Sequence, residues 1–142
     1  MPSAQHSAAI NRPVADVFAF VADGTNAMQW RPAVLDVAHV SGVGTGAIYR
    51  QGVKGPGGRR IAADYEVTAF EPNRRLAFRA IAGPVRPTGE YRFEASGDQT
   101  TVTFSLEVTL SGWKALLMGR PVQATMDREV RNLDALKRIL ES

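Results

Sequence analysis

The sequence predicts an α+β domain in which a curved antiparallel sheet is covered by one long C-terminal helix. The first observation is that residues 33–110 alternate apolar and polar side chains in short runs, which glycine, proline and asparagine turns separate. The second is that apolar residues recur at helical spacing from Val122 to Leu140. With 142 residues and 44% hydrophobic composition, the chain can bury one core, so a single domain over 1–142 is expected.

The N-terminal segment is predicted to hold one strand and two short helices. The strand is expected from Ser3 to Ile10. The first helix follows because four apolar residues recur at i, i+3, i+4 and i+7, namely Val14, Val17, Phe18 and Val21. Asp23-Gly24 ends that helix. A second is expected from Asn26 to Trp30, just before Pro32.

About six strands are expected between Ala33 and Leu110, which gives a sheet of six to seven strands with the first one included. The stretch FEPNRRLAFR shows how the faces are assigned. Its Glu-Pro-Asn is turn chemistry, and strand alternation then points Phe78 inward while Arg75 and Arg79 point to solvent. The stretch QGVKGPGGRR is interpreted as a hairpin tip, because it opens no helix and lacks the spacing of a phosphate-binding loop.

The C-terminal region from Trp113 to Ser142 is predicted to be helical and to be kinked or divided at Gly119-Arg120-Pro121. Beyond Pro121, one apolar stripe is formed by Val122, Met126, Val130, Leu133, Leu136 and Leu140. The apolar cluster from Trp113 to Met118 has two readings, a mobile gate between glycines or ordinary core. A helix from Val122 to Glu141 would be about 30 Å long, enough to cross the sheet.

Composition and charge exclude several classes of function. The chain has no cysteine, which rules out disulfides and thiolate chemistry and favours a cytoplasmic protein. No apolar run is long enough for an integral membrane segment. The net charge of +3 comes from scattered arginines with acidic neighbours, so no nucleic-acid partner is expected. The only histidines are His6 and His39, and neither a metal site nor a cofactor is expected.

Five segments in order carry a resemblance to a known family: INRPVADVFAFVAD, QWRPAV, VGTGAIYR, VTAFEPNRRLAFR and VRNLDALKRILES. With them the chain resembles the START-like, Bet v 1-like (SRPBCC) superfamily, in particular its bacterial polyketide cyclase/dehydrase-type branch. The resemblance implies the helix-grip fold, with a curved sheet wrapped around the C-terminal helix and a cavity between them. It also implies a small hydrophobic or aromatic ligand, bound by a carrier or sensor, or alternatively converted by a cyclase, aromatase or dehydratase.

The candidate site residues are the side chains expected on the wall of that cavity. The expected ligand-binding residues are Trp30, Tyr49, Gln51, Tyr65, Val67, Phe78, Tyr91, Phe93, Phe104, Met118, Met126 and Val130. For the catalytic alternative, the candidates for proton transfer are Tyr65, Tyr91 and Gln51, since a buried tyrosine hydroxyl can donate or accept a hydrogen bond. The other interpretation of these tyrosines, as plain core aromatics, stays open. The expected partner is a small hydrophobic molecule, and a homodimer is left open.

Overall fold

The computed structural model describes residues 2–142 and has the predicted α+β architecture. Eight antiparallel strands form one curved sheet: β1 Ser3–Ile10, β2 Val34–Ser41, β3 Ile48–Lys54, β4 Arg60–Ala62, β5 Tyr65–Glu71, β6 Arg75–Ala80, β7 Thr88–Ser96 and β8 Gln99–Glu107. The helices are α1 Val14–Ala22, α2 Ala27–Trp30, α3 Trp113–Arg131 and α4 Leu133–Glu141. No helix within residues 2–142 is both long and apolar enough to cross a membrane.

The strand order in the sheet is β1-β8-β7-β6-β5-β3-β2, with β4 paired to β3. One strand more than expected is present because the segment RRIAADYEVTAF is two strands, β4 and β5. Between them Asp64 accepts a hydrogen bond from the backbone N–H of Gln51 through its side chain, and Ala63 donates its N–H to the Gln51 carbonyl. These contacts replace a regular strand ladder and let the sheet bend.

The turn of FEPNRRLAFR lies where it was predicted, between β5 and β6. Asn73 has a φ of 64°, a left-handed conformation that asparagine tolerates better than most residues. Beyond it, Phe78 packs inward, while Arg75 pairs with Glu90 and Glu71, and Arg79 pairs with Glu66. The arginines therefore belong to ion pairs on the outer face of the sheet. The QGVKGPGGRR segment is a hairpin tip between β3 and β4, as expected.

The C-terminal helices correct one expectation. The helix does not divide at Gly119-Arg120-Pro121, since α3 continues from Trp113 through Pro121 to Arg131. Pro121 is tolerated because Leu117, whose carbonyl loses its backbone partner, is an exposed residue that water can reach. The break falls at Asn132 instead, where the backbone N–H bonds to the Glu129 carbonyl three residues earlier, and the side chain also bonds to Glu129.

The core has a closed end and a hollow end. At the closed end α1 packs Phe18 edge-on against Phe70 and Phe93, with ring centroids 5.3 and 5.1 Å apart. The α3–α4 pair lies across the concave face and is tied to β1 by Gln123, which bonds to the Ser3 backbone, and by Lys137, which bonds to the Ala9 carbonyl. The other end of the sheet is left open for a cavity.

Candidate functional site

A cavity of about 450 Å³ lies between the concave face of the sheet and α3. Binding sites for small molecules have volumes of about 300–1,000 Å³ and are mostly apolar with a few polar groups, so this space has an appropriate size and character. Its walls come from β3, β5, β6, β7 and β8 on one side and from α3 on the other. Residues of the α1–α2 region and of the loops after β3 and β6 complete it.

Ten of the twelve predicted ligand-binding residues line this cavity: Trp30, Tyr49, Gln51, Tyr65, Val67, Phe78, Tyr91, Phe104, Met118 and Met126. The other two are buried beside it without lining it. Phe93 packs against Phe18 at the closed end, and Val130 lies in the helix–sheet core at 2% exposure. Strand alternation for Phe93 and helical spacing for Val130 each gave the correct face, but not the distance from the hollow end.

Aromatic rings form a continuous wall along the sheet side of the cavity. Tyr49 and Tyr65 are stacked, with centroids 5.0 Å apart, and Tyr65 meets Phe78 edge-on at 5.6 Å. Tyr91 stacks on Phe104 at 4.2 Å and lies 6.1 Å from Phe78. Such a wall offers flat faces and edges to an apolar or aromatic ligand.

Two glycines make room for this wall. A Cβ added at Gly24 would clash with the Tyr65 hydroxyl and would come within 2.8 Å of the Tyr49 ring. A Cβ at Gly89 would clash with the Phe78 ring, which crosses β7 at that point. The stacked tyrosines and Phe78 can therefore lie close to the backbone, and this close approach keeps the centre of the cavity open.

The hydroxyls of Tyr65 and Tyr91 open into the cavity. Neither forms a side-chain hydrogen bond within residues 2–142, and no fully buried polar side-chain atom of that range lacks a partner. Both hydroxyls must therefore reach the cavity space. Burial raises the pKa of Tyr65 and of Tyr91 above the ordinary value for tyrosine, so both are neutral and able to donate a hydrogen bond at physiological pH.

A largely buried ion pair forms the polar part of the wall. Arg31, just after α2, places Nε 3.0 Å from Glu129 Oε2 on α3, and its Nη1 donates to Gln51 Oε1 at 3.3 Å. Gln51 in turn donates to the Ala63 carbonyl at 3.2 Å. Burial acts to lower the pKa of Arg31, but the charge and hydrogen bonds of Glu129 outweigh it and leave the pKa raised. Part of the guanidinium's donor capacity remains for another oxygen.

Sequence reasoning missed Arg31 and Glu129 as lining residues, although it singled out Gln51. Glu129 lies seven residues after Val122 and three after Met126, so it falls on the apolar stripe of the helix. A carboxylate on such a stripe is a signal for a buried partner or a ligand. Arg31 gave no comparable signal, because it follows a helix of only four residues that sets no clear face.

The two histidines lie away from the cavity. His6 bonds to Asp134 of α4 at 3.1 Å, and His39 bonds to the Gly42 carbonyl at 2.6 Å. Within residues 2–142, no three histidine or acidic side chains cluster as metal ligands. Arg31, Tyr65 and Tyr91 offer hydrogen-bond donors to the cavity beside a large apolar wall.

The first turns of α3 form one side of the cavity mouth. Met118 contributes to the lining, whereas Trp113, Leu116 and Leu117 are 65%, 88% and 69% exposed. The reading of Trp113–Met118 as ordinary core is therefore wrong for these three residues. Whether the segment moves as a gate stays a prediction.

The family model described as polyketide cyclase / dehydrase and lipid transport matches residues 1–141. Among solved structures, the chain is similar to TTHA0849 from Thermus thermophilus, with a TM-score of 0.83 and 20% identity over 98% of this chain and 97% of that one. A START superfamily protein from Mycobacterium smegmatis has a TM-score of 0.78 and 15% identity, over 98% and 97% of the two chains.

The ZhuI aromatase/cyclase from Streptomyces sp. R1128 has a TM-score of 0.69 and 20% identity, over 97% of this chain and 90% of that one. At these identities the structural likenesses show the helix-grip fold and nothing finer. No curated protein matches the chain significantly.

Proposed function

The chain belongs to the polyketide cyclase/dehydrase and lipid transport family, and from this premise we propose that it binds a small hydrophobic or aromatic ligand in the cavity between sheet and helix. The observation that carries the proposal is the open cavity of about 450 Å³ with its continuous aromatic wall. Arg31, Gln51 and Glu129 form one polar corner of this cavity. If these side chains served only as core, they would pack together and leave no open space, as they do around Phe18 at the other end.

The polar corner narrows the class of ligand. Arg31 is already neutralised by Glu129, so an additional full negative charge would compete with that carboxylate. A neutral oxygen acceptor, such as a ketone, ester or phenol oxygen, can take the remaining guanidinium donors and the tyrosine hydroxyls without displacing Glu129. The preferred ligand is therefore an apolar or aromatic body that carries one or a few neutral oxygens.

Native mass spectrometry of freshly purified protein tests for a retained molecule, and titration with a hydrophobic fluorescent dye tests for a saturable site. We expect one dye per chain and displacement by aromatic ketones. The double variant Arg31→Met with Glu129→Leu makes the corner apolar and uncharged. It should weaken binding of an aromatic ketone more than binding of the hydrocarbon that has the same ring system without the oxygen. A protein that retains nothing and binds no dye saturably would rule the proposal out.

A second candidate function is catalysis on a polyketide-like or aromatic compound, which the open hydroxyls of Tyr65 and Tyr91 beside Arg31 favour. In this reading the remaining donors of Arg31 polarise a ketone oxygen, and a tyrosine gives that oxygen a proton as an enol carbon of the same compound attacks the carbonyl carbon. The proton released from the enol hydroxyl returns to the tyrosine, so the step balances. Burial raises the pKa of both tyrosines, so both carry their proton at neutral pH and act there as hydrogen-bond donors rather than as bases.

Turnover of an aromatic poly-ketone by the protein tests this second function. Tyr65→Phe or Tyr91→Phe should lower the rate by about 100-fold if that hydroxyl is the acid, since general acid catalysis contributes about that much or more. Dye affinity is the control, because removal of one hydroxyl leaves the ring and the cavity wall in place. Absence of turnover, or full rates in both variants, would leave binding alone as the function.

A further inference from the structure

Three segments surround the mouth of the cavity and are called the mouth segments here: residues 54–60, 81–87 and 111–121. Each contributes lining residues to the cavity, such as Lys54, Val85 and Met118. All three lie at the same edge of the sheet. Residues 54–60 begin at the end of β3, residues 81–87 connect β6 to β7, and residues 111–121 follow β8 and include the start of α3.

The charge of the mouth segments differs from that of the rest of the chain. They hold six of the 17 basic side chains and none of the 14 acidic ones, so the remainder of the chain is net acidic. Arg60 pairs with Asp36. The other five cations are exposed, and they are Lys54, Arg59, Arg86, Lys114 and Arg120.

The first turns of α3 add an apolar surface among these exposed cations. Trp113, Leu116, Leu117 and Arg120 are spaced i, i+3, i+4 and i+7, so they share one face of the helix. The three apolar side chains on this face are mostly exposed, whereas Met118 on another face lines the cavity. An exposed aromatic and two leucines that project among cations match the pattern of a helix that lies in a membrane interface.

We propose that the mouth of the cavity docks on an anionic lipid bilayer, with Trp113, Leu116 and Leu117 inserted among the lipids and the five mouth cations on the headgroups. Anionic headgroups attract cations near the surface, and the apolar face supplies the area that gains from burial. Docking in this position would hold the cavity opening against the bilayer, so that a hydrophobic ligand could pass between the two without crossing water. That last step rests on the proposed function, whereas the docking does not.

A second copy of the chain is the main competing occupant of this face. A symmetric dimer built on it would place the same patch on both subunits and bring two sets of five cations together, which like-charge repulsion opposes. A bilayer rich in anionic lipid instead satisfies both the charge and the apolar surface. The charge complementarity therefore favours the bilayer.

Vesicle flotation tests the docking, with phosphatidylcholine alone compared with phosphatidylcholine mixed with phosphatidylglycerol. We expect binding to the mixed vesicles, weakened by high salt. Leu116→Asp and Lys114→Glu should each lower the partition coefficient about tenfold, since each removes part of the apolar or the electrostatic attraction. The matched controls are Val43→Asp, at an equally exposed valine on the β2–β3 turn, and Arg138→Glu on α4, which makes the same change in net charge.

Fluorescence gives a second measurement at the inserted residue itself. The other tryptophan, Trp30, is buried at 4% exposure, and in a Trp30→Phe variant the emission comes from Trp113 alone. Mixed vesicles should shift that emission to the blue and protect it from an aqueous quencher. No shift would count against insertion of α3, even if the protein still floats with the vesicles.

Three results would overturn the proposal: no binding to mixed vesicles, equal losses in the test and control variants, or a dimer in sedimentation that Leu116→Asp abolishes while vesicles stay unbound. Dye titration without vesicles separates this proposal from the proposed function. The Leu116 side chain is not part of the cavity lining, so Leu116→Asp should bind dye in solution as the unmodified protein does.

Discussion

The ion pair between Arg31 and Glu129 links α2 to α3 across the cavity, so its removal should act on stability as well as on the ligand. The two side chains are only 15% and 13% exposed. Glu129→Gln leaves the arginine charge without its partner and should lower the free energy of unfolding by about 3 kcal/mol, the cost of breaking a largely buried pair. Urea denaturation at neutral pH measures this loss.

The double variant Arg31→Met with Glu129→Leu is the control for that effect. It removes both charges and fills similar volume with apolar atoms, so it should recover most of the stability that Glu129→Gln loses. A double variant no more stable than Glu129→Gln would mean that packing, rather than an uncompensated charge, explains the loss.

Tyr91 should make stability fall at alkaline pH. Burial raises its pKa, so the folded protein keeps a proton that the unfolded chain releases near pH 10. The stability that depends on the neutral hydroxyl is complete below pH 10 and is lost as the pH rises above it. An alkaline titration followed by tyrosinate absorbance measures this effect. The absorbance of the unmodified protein should rise abruptly when it unfolds, and Tyr91→Phe should make that rise smaller. A rise of unchanged size would show that Tyr91 already ionises in the folded protein.

At this scale the sequence predicted apolar wall residues better than polar ones. Tyr65, Phe78 and Tyr91 could be placed on the inner face because a strand alternates strictly. The approach of Arg31 to Glu129 depends on how far α2 and α3 lie apart after folding. No local pattern encodes that distance, and the partners are 98 residues apart in the chain.

Among the elements, α3 is the one whose two halves have different surroundings. Its second half packs Met126 and Val130 in the core, whereas its first turns are mostly exposed. Gly119 lies between them in helical conformation, and a Cβ there would meet no atom within 4 Å. Gly119→Ala should therefore raise the free energy of unfolding by about 0.5 to 1 kcal/mol through helix propensity alone.

Gly112→Ala is the matched control for that substitution. A Cβ at Gly112 also meets open space, but its φ is 59°, in the region that disfavours residues other than glycine. This variant should be less stable than the unmodified protein when both are unfolded in urea. If Gly119→Ala also destabilises, the first turns of α3 do not behave as regular helix in solution.

Most element positions could be predicted because each follows from a local period. The turn at Asn73 and the strand that follows it are examples. The split between β4 and β5 could not be predicted, since it depends on Asp64 and Ala63 bonding to Gln51 of another strand. A division at Pro121 was one of the two outcomes, kink or division, that a local rule predicted, and it does not occur. Leu117 is exposed, so water can reach the carbonyl that loses its backbone partner.

The whole molecule combines a tightly packed end, a hollow end and a basic mouth around the hollow. α1 and the Phe18 cluster stabilise one end of the sheet, which allows the other to remain open at a cost in packing. The mouth charge was not foreseen, because its cations come from three segments that are distant in the chain and meet only when the sheet folds. The cavity itself was expected, both because a strongly curved sheet seldom closes completely around a helix and through the family resemblance.

A protein that keeps a hollow for a ligand should become less able to bind, but no less stable, when the hollow is partly filled. Val122 lines the cavity from α3, so Val122→Phe should place a ring in the empty space and gain contacts there. We expect the dye affinity to fall by about tenfold or more, while the melting temperature stays equal or rises. Ala124→Phe, at an exposed position of the same helix, should leave the dye affinity unchanged. If Val122→Phe lowers the melting temperature and leaves dye binding intact, the dye occupies another site and the hollow is not the ligand cavity.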